Sequence, residues 1–207
     1  MVDSTQENSL SYNENVELIG DIIEISLHSI LQIRQVYPQF TFERKQKWGA
    51  IVYKSRVAVV QSYIAELIRC VKVELHEDNV ENVIILIKNT QDVPIERFIF
   101  NISNVVAGEI PENLKDEEFV GGLKKSEIGN YARSILVRLS SLDALLEPIS
   151  EQEDLTFAVL LEMKDDITQD NKAWMATANT PSGSEIIPIR GLDTGIINVK
   201  LLCQELH

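Results

Sequence analysis

Residues 24–47, EISLHSILQIRQVYPQFTFERKQK, decide how this chain folds. A very apolar helix runs into Tyr37-Pro38, and a basic stretch flanked by aromatics follows. Ile22, Ile23, Ile25, Leu27, Ile30, Leu31, Ile33 and Val36 leave little of the helix surface polar, so it belongs in the middle of a domain and not on its outside. Pro38 lacks an amide and disfavours helical geometry at Tyr37, which places the helix end there. Nothing in the stretch is a catalytic group.

Upstream, Ser11-x-x-Glu14 has capping-box spacing and opens this first helix, leaving residues 1–10 as a disordered lead. Downstream, a second helix is expected from a Ser55 cap to about Leu75. Val57, Val60, Ile64, Leu67, Ile68, Val71 and Leu75 recur at helical spacing before an Asp78-Asn79 break. VENVIILIK and IERFIFNI, joined by the turn-rich NTQDVP, read as a hairpin of Val80 to Lys88 with Ile95 to Ile102. A loop rich in acid and glycine separates it from a third helix, about Ser126 to Glu147, stopped by Pro148. There Ile128, Ala132, Ile135, Leu139, Leu142 and Leu146 form one packing seam. Leu155 to Met163 alternates as a strand, a long aperiodic segment follows, and IIPI with INVKLL make a terminal hairpin. The fold class is α+β, in a single domain.

Composition narrows the function. The chain has 207 residues, 44% of them hydrophobic, enough for one sizeable core. Its net charge of −13 argues against a large phosphate-binding surface, so if the protein works near DNA a partner holds the DNA. Arg44, Lys45 and Lys47, flanked by Phe42 and Trp48, are the one basic run and read as a solvated loop. Two cysteines, Cys70 and Cys203, suggest free buried thiols in a reducing interior. No apolar run spans a bilayer and the polar opening lacks a signal-peptide core, so a soluble intracellular chain is expected.

Catalysis has little to stand on. His28 lies on the buried helix, His76 follows the second helix and His207 is terminal, each without a nucleophile or carboxylate partner in sequence. Asp165-Asp166 reads as a solvated turn and no phosphate-cradling glycine loop is present. No cofactor or metal is expected. The competing enzyme reading is a small α+β enzyme built on Cys70 or the acidic pair.

The element order, together with SLHSILQIRQVYP, SYIAELIRCVKVEL, NVENVIILIKNTQDVPIERFIFNI, LTFAVLLEM and EIIPI, resembles the HORMA-domain family from about Val16 to Leu202. Within it the chain is most similar to the branch of accessory, non-catalytic subunits of translesion DNA polymerase zeta. The resemblance implies three main helices packed on a mostly antiparallel sheet, a core over residues 11–163 and a C-terminal seat belt over 164–207. It implies a nuclear, and in part cytoplasmic, adaptor for DNA repair by translesion synthesis. Such an adaptor captures a short motif of the polymerase's catalytic subunit and binds neither nucleic acid nor membrane directly. A spindle-checkpoint or meiotic HORMA adaptor is the alternative.

Three residue groups carry that implication. Tyr63, Trp174 and Met175 match the peptide pocket, whereas composition alone reads Tyr63 as a core-edge tyrosine and Trp174 as a loop anchor. Arg133 matches the interface where two HORMA domains pair, as a homodimer or heterodimer. Its plain alternative is a solvated helix arginine, and the acidic loop Glu109 to Glu118 is available to pair with the basic face around it. Ile186, Lys200 and Leu202 match the contact with the C-terminal domain of a second translesion polymerase. Here the plain alternative is scattered surface apolars, with Val199 and Leu201 pointing inward. Leu155 to Met163 carries neither lysine nor proline, so it can offer an edge to an added strand. The segment Met163 to Glu185 has the length, and in Pro181-Ser182-Gly183-Ser184 the flexibility, to move as a lid.

Overall fold

A computed structural model describes residues 9–105, 110–119, 121–149, 154–164, 174 and 186–206. The first helix, α1, spans Tyr12–Ile33. Its capping box is present: Ser11 Oγ accepts the Glu14 N–H at 3.2 Å, and Glu14 Oε2 accepts the Ser11 N–H at 3.0 Å. The expected lead is corrected at its end. Ser9 bridges to Lys124, and Leu10 is buried with its N–H donated to the Leu123 carbonyl, so order starts at least three residues before the helix. Residues 1–8 lie outside the described ones.

The helix stops four residues earlier than Tyr37. Arg34 is the C-cap and Gln35 adopts φ 53°, the left-handed turn that redirects the chain. The Val36 N–H then reaches the Leu31 carbonyl and the Gln35 N–H the Gln32 carbonyl, a Schellman motif sealed by buried Val36 and Leu31. Pro38 only follows the stop.

The basic run is a strand and not a loop: β1, Phe42–Lys47, pairs antiparallel with β2, Ala50–Ser55. Trp48 and Gly49, at φ 49° and 73°, make the two-residue turn that suits a right-twisted hairpin. Ala50 and Val52 are buried against Leu136. Ser55 therefore ends β2 instead of capping a helix, although its Oγ accepts the Val57 N–H at 3.2 Å. The second helix, α2, runs Ala58–His76 and ends in another Schellman motif, with Asp78 at φ 56°.

The predicted hairpin is present as β3, Val80–Asn89, and β4, Pro94–Asn104. The third helix, α3, is shorter than expected, Ile128–Leu139, followed by a 3-10 turn at Leu142–Ala144. Ser140 and Ser141 turn their hydroxyls back to the Val137 carbonyl, an alternative to continued helix. The seam survives the break, since Ala132, Ile135, Leu139, Leu142 and Leu146 are all buried. β5, Leu155–Met163, precedes the terminal hairpin of β6, Ile186–Asp193, and β7, Ile197–Glu205.

Five strands form one antiparallel sheet in the order β5-β3-β4-β7-β6. Strands consecutive in sequence, β5 and β6, thus sit on opposite margins. One face, with Val83, Ile85, Phe98, Phe100, Val199 and Leu201, is buried. Ile19, Ile22 and Ile23 of α1 meet Phe100, Val199 and Leu201 there, so the first helix is the central support its composition implied. The other face carries an apolar row across every strand, Leu160, Ile84, Ile99, Leu202 and Pro188 in register. Beside it Glu162 accepts from Asn82 at 2.7 Å and Asn82 from Asn101 at 2.9 Å. A polar row and an apolar row fix the register by different means, since a slip of one residue would exchange the faces.

An ion pair lies inside. Arg34, the α1 C-cap, donates to Glu96 of β4 through Nε (2.9 Å) and Nη2 (2.5 Å), and also to Asp143 and the Glu147 carbonyl. Both side chains are 2% exposed. Burial pushes the Glu96 carboxyl up, against the pull of Arg34.

Candidate peptide-binding edge

β5 pairs on one side with β3, and no other described strand lies beside it. Alternate residues of its outer side therefore present main-chain donors and acceptors, and neither lysine nor proline blocks them. Along this edge the fold gathers aromatics from distant parts of the chain. Tyr63, on α2, stands edge-on to Phe157 of β5 at 5.9 Å, and Tyr37 meets the same ring at 6.4 Å. Trp174 packs, half-buried, on the core. Its indole Nε1 is buried without a hydrogen-bond partner, an unmet donor of the kind a main-chain carbonyl satisfies. Tyr63 itself is 53% exposed. Burial, and after it the neighbouring Tyr63, raises the Tyr37 hydroxyl above its ordinary range, so it too stays a donor.

Tyr37 and Phe157 escaped the sequence reading as site residues. The Schellman turn delivers Tyr37 beside β5, and only the strand order puts Phe157 under Tyr63. A signal did exist: Phe157 is the sole aromatic of β5 and alternates with buried Val159 on its inward face. Met175 lies outside the described residues, as do Asp165-Asp166 and Pro181 to Ser184.

Arg133 is exposed on α3 and lies over the hairpin turn, where a Cβ on Gly49 would stand 3.4 Å from its Nη1. With Val137, Arg138, Ile189 and Arg190 it lines a groove of about 630 Å³. Of the acidic loop's described residues, Glu112 bonds Lys115 and Asp116 bonds Asn13, while Lys125 turns to Glu14 of α1. On the far margin, Ile186 is exposed opposite Gln204, Lys200 is exposed, and Leu202 is half-buried between Ile99 and Pro188. The structure brings these three onto one face.

The thiols are poorly suited to attack. Burial raises the Cys70 thiol and pushes Cys203 up to about 12, so neither is a ready thiolate. Among the described residues no cluster of His, Cys, Asp or Glu is disposed to hold a metal ion.

This is an α+β fold, three helices on a five-stranded antiparallel sheet whose outer strands, β5 and β6, each have one described neighbour. The chain belongs to the HORMA-domain family, whose model matches residues 15–180. It is 26% identical over 196 residues to the DNA polymerase zeta processivity subunit of Schizosaccharomyces pombe, spanning 89% of this chain and 90% of that one. It is 24% identical over 200 residues to the mitotic spindle assembly checkpoint protein MAD2B of Danio rerio, spanning 91% and 90%. Among solved structures, Caenorhabditis elegans HTP-2 bound to HTP-3 closure motif 1 superposes with a TM-score of 0.78 at 12% identity, covering 99% of this chain and 97% of that one. A chain of the mitotic checkpoint complex gives 0.76 at 16%, covering 93% and 99%. At these identities the likeness of structures speaks for the fold alone.

Proposed function

We propose that this chain is a non-catalytic HORMA adaptor of translesion synthesis, which captures a short peptide of the catalytic subunit of a zeta-type DNA polymerase. The peptide adds to β5 as a strand, its main chain bonding the open edge. Its side chains, proline among them, rest on Tyr63, Phe157 and Trp174, and the C-terminal segment acts as the belt. The observation that carries this reading is the coincidence of an unpaired strand edge and the Tyr37, Tyr63 and Phe157 cluster at the β5 margin. The two relatives whose names point to a polymerase subunit and to checkpoint proteins support an adaptor working in the nucleus.

Two further contacts belong to the proposal. The α3 groove around Arg133 pairs with a second HORMA domain, and the face of Ile186, Lys200 and Leu202 takes the C-terminal domain of a second translesion polymerase. Capture from cell extract by intact protein and by a Tyr63→Ala, Trp174→Ala double variant tests the central claim. Loss of one large DNA polymerase supports it. Undiminished capture sinks the pocket assignment, and recovery of checkpoint proteins alone favours the spindle-checkpoint alternative.

A further inference from the structure

α2 and β5 run side by side in the same direction. Their later ends are tied where the Lys164 N–H reaches the Asn79 carbonyl at 2.8 Å and the Asn79 N–H the Glu74 carbonyl at 3.1 Å. Their earlier parts are tied by Tyr63 against Phe157 at 5.9 Å. The lengths agree, since the helical steps from Tyr63 to His76 and the strand steps from Phe157 to Met163 each cover about 20 Å. Val59, one helical turn before Tyr63, is therefore level with Leu155, where β5 begins.

Phe40 reaches the same corner from another part of the chain. It follows Tyr37, whose ring also meets Phe157, and the next carbonyl, that of Thr41, accepts the Arg56 N–H at 2.7 Å just ahead of α2.

Among the described large hydrophobic side chains Phe40 and Val59 are the two most exposed, at 80% and 78%, and Val57 beside them is exposed as well. Single apolar residues scattered over a surface need no explanation. These two are not scattered. They share one corner, Val59 in the first turn of a helix where polar side chains are the rule, and the corner adjoins the open strand edge. Arg56 is exposed beside them and has no ion-pair partner among the described residues.

We propose, resting on the reading of β5 as the capture edge, that the captured peptide continues past Leu155 as an apolar stretch carrying an acidic residue. Its apolar side chains cover Phe40 and Val59, and its carboxylate faces Arg56. A guest as long as β5 bonds along the edge, and its next residues pass this corner whichever way it runs: those after its C-terminal end if antiparallel, those before its N-terminal end if parallel. Guests are then chosen partly by side chains outside the main-chain-bonded stretch.

The test is fluorescence anisotropy of the full chain with a labelled prolyl peptide as long as β5, carrying a short tail at one end or the other. The tail holds leucines and a glutamate among glycines, and control tails have serine for leucine or lysine for glutamate. At one end only, the leucine and glutamate tail is expected to bind about tenfold tighter than the serine tail and about threefold tighter than the lysine tail. A Phe40→Ser, Val59→Ser variant should bind the leucine and serine tails alike. If the untailed peptide binds but leucine and serine tails are equal at both ends, the continuation falls and the edge stands. If the untailed peptide does not bind, the edge is misassigned and the continuation falls with it. A lysine tail as tight as the glutamate one also overturns the proposal. Equal tails, with the intact chain a dimer in sedimentation and the variant a monomer, give the corner to a second copy instead.

Discussion

Tyr63 and Phe157 meet edge to face at 5.9 Å and so tie α2 to the outermost strand of the sheet, yet Tyr63 stays 53% exposed. One side of the ring steadies β5 while the other is free for a guest. Such a pair contributes about 0.5–1.5 kcal/mol beyond buried area. A central aromatic anchor in a binding site contributes about 2 kcal/mol or more. Tyr63→Ala is therefore expected to lower stability by no more than ~1.5 kcal/mol and to weaken capture of a labelled prolyl peptide roughly thirtyfold. Fluorescence anisotropy beside a urea melt separates the two, and equal losses in both would make Tyr63 a packing residue only.

Arg34 is the most exacting position in the core. Removing one partner of a buried ion pair leaves an uncompensated charge, which costs about 3–5 kcal/mol. Arg34→Ala should lose that much in urea unfolding, because Glu96, Asp143 and the Glu147 carbonyl all lose their donor. An Arg34→Leu, Glu96→Leu variant should be markedly less harmed, since it strands no charge in the interior.

His28 makes stability depend on mild acid. The folded ring is held at about 4 while the unfolded ring titrates near 6.5, so between these values the unfolded chain binds more protons. Stability then falls as pH drops through that window, by about 3 kcal/mol in all at 1.36 kcal/mol per unit. Thermal melts from pH 7 to 4.5 should show the slope in the intact chain and a flatter one in His28→Gln. Equal slopes would remove His28 as the cause.

Gln35 holds a left-handed conformation that favours glycine. Gln35→Gly is expected to stabilise the chain by about 0.5 kcal/mol, the relief of strain being partly offset by a more flexible unfolded chain. A shift of the urea midpoint to lower concentration would refute it.

Arg133→Ala should convert a dimer to monomer in sedimentation if the α3 groove is a pairing surface, with no loss of thermal stability, because the side chain is exposed. An unchanged mass refutes that assignment.

The parts of the fold legible in the sequence were those where local pattern and tertiary burial agree. The capping box at Ser11 and Glu14, the β3–β4 hairpin and the α3 seam all formed where their spacing put them. β1 was missed because FERKQK has almost no apolar alternation, and its partner strand is held through Ala50 and Val52 against α3, a contact no local window contains. The end of α1 was misplaced because a glutamine occupies a position where glycine is the usual sign, so the visible proline took the credit. Tyr63 and Trp174 were reachable through resemblance. Tyr37 and Phe157 became site residues only when the strand order set β5 on the outside.

That strand order has a mechanical consequence. The nine-residue ladder between β4 and β7 fastens the far end of the chain segment that leaves β5, like the gate of a carabiner. For a guest captured under that segment in the way proposed above, escape requires either threading out end-first or unzipping the gate. Its dwell time then follows the hairpin's own durability more than the guest's grip, so guests of unequal affinity would leave at similar rates.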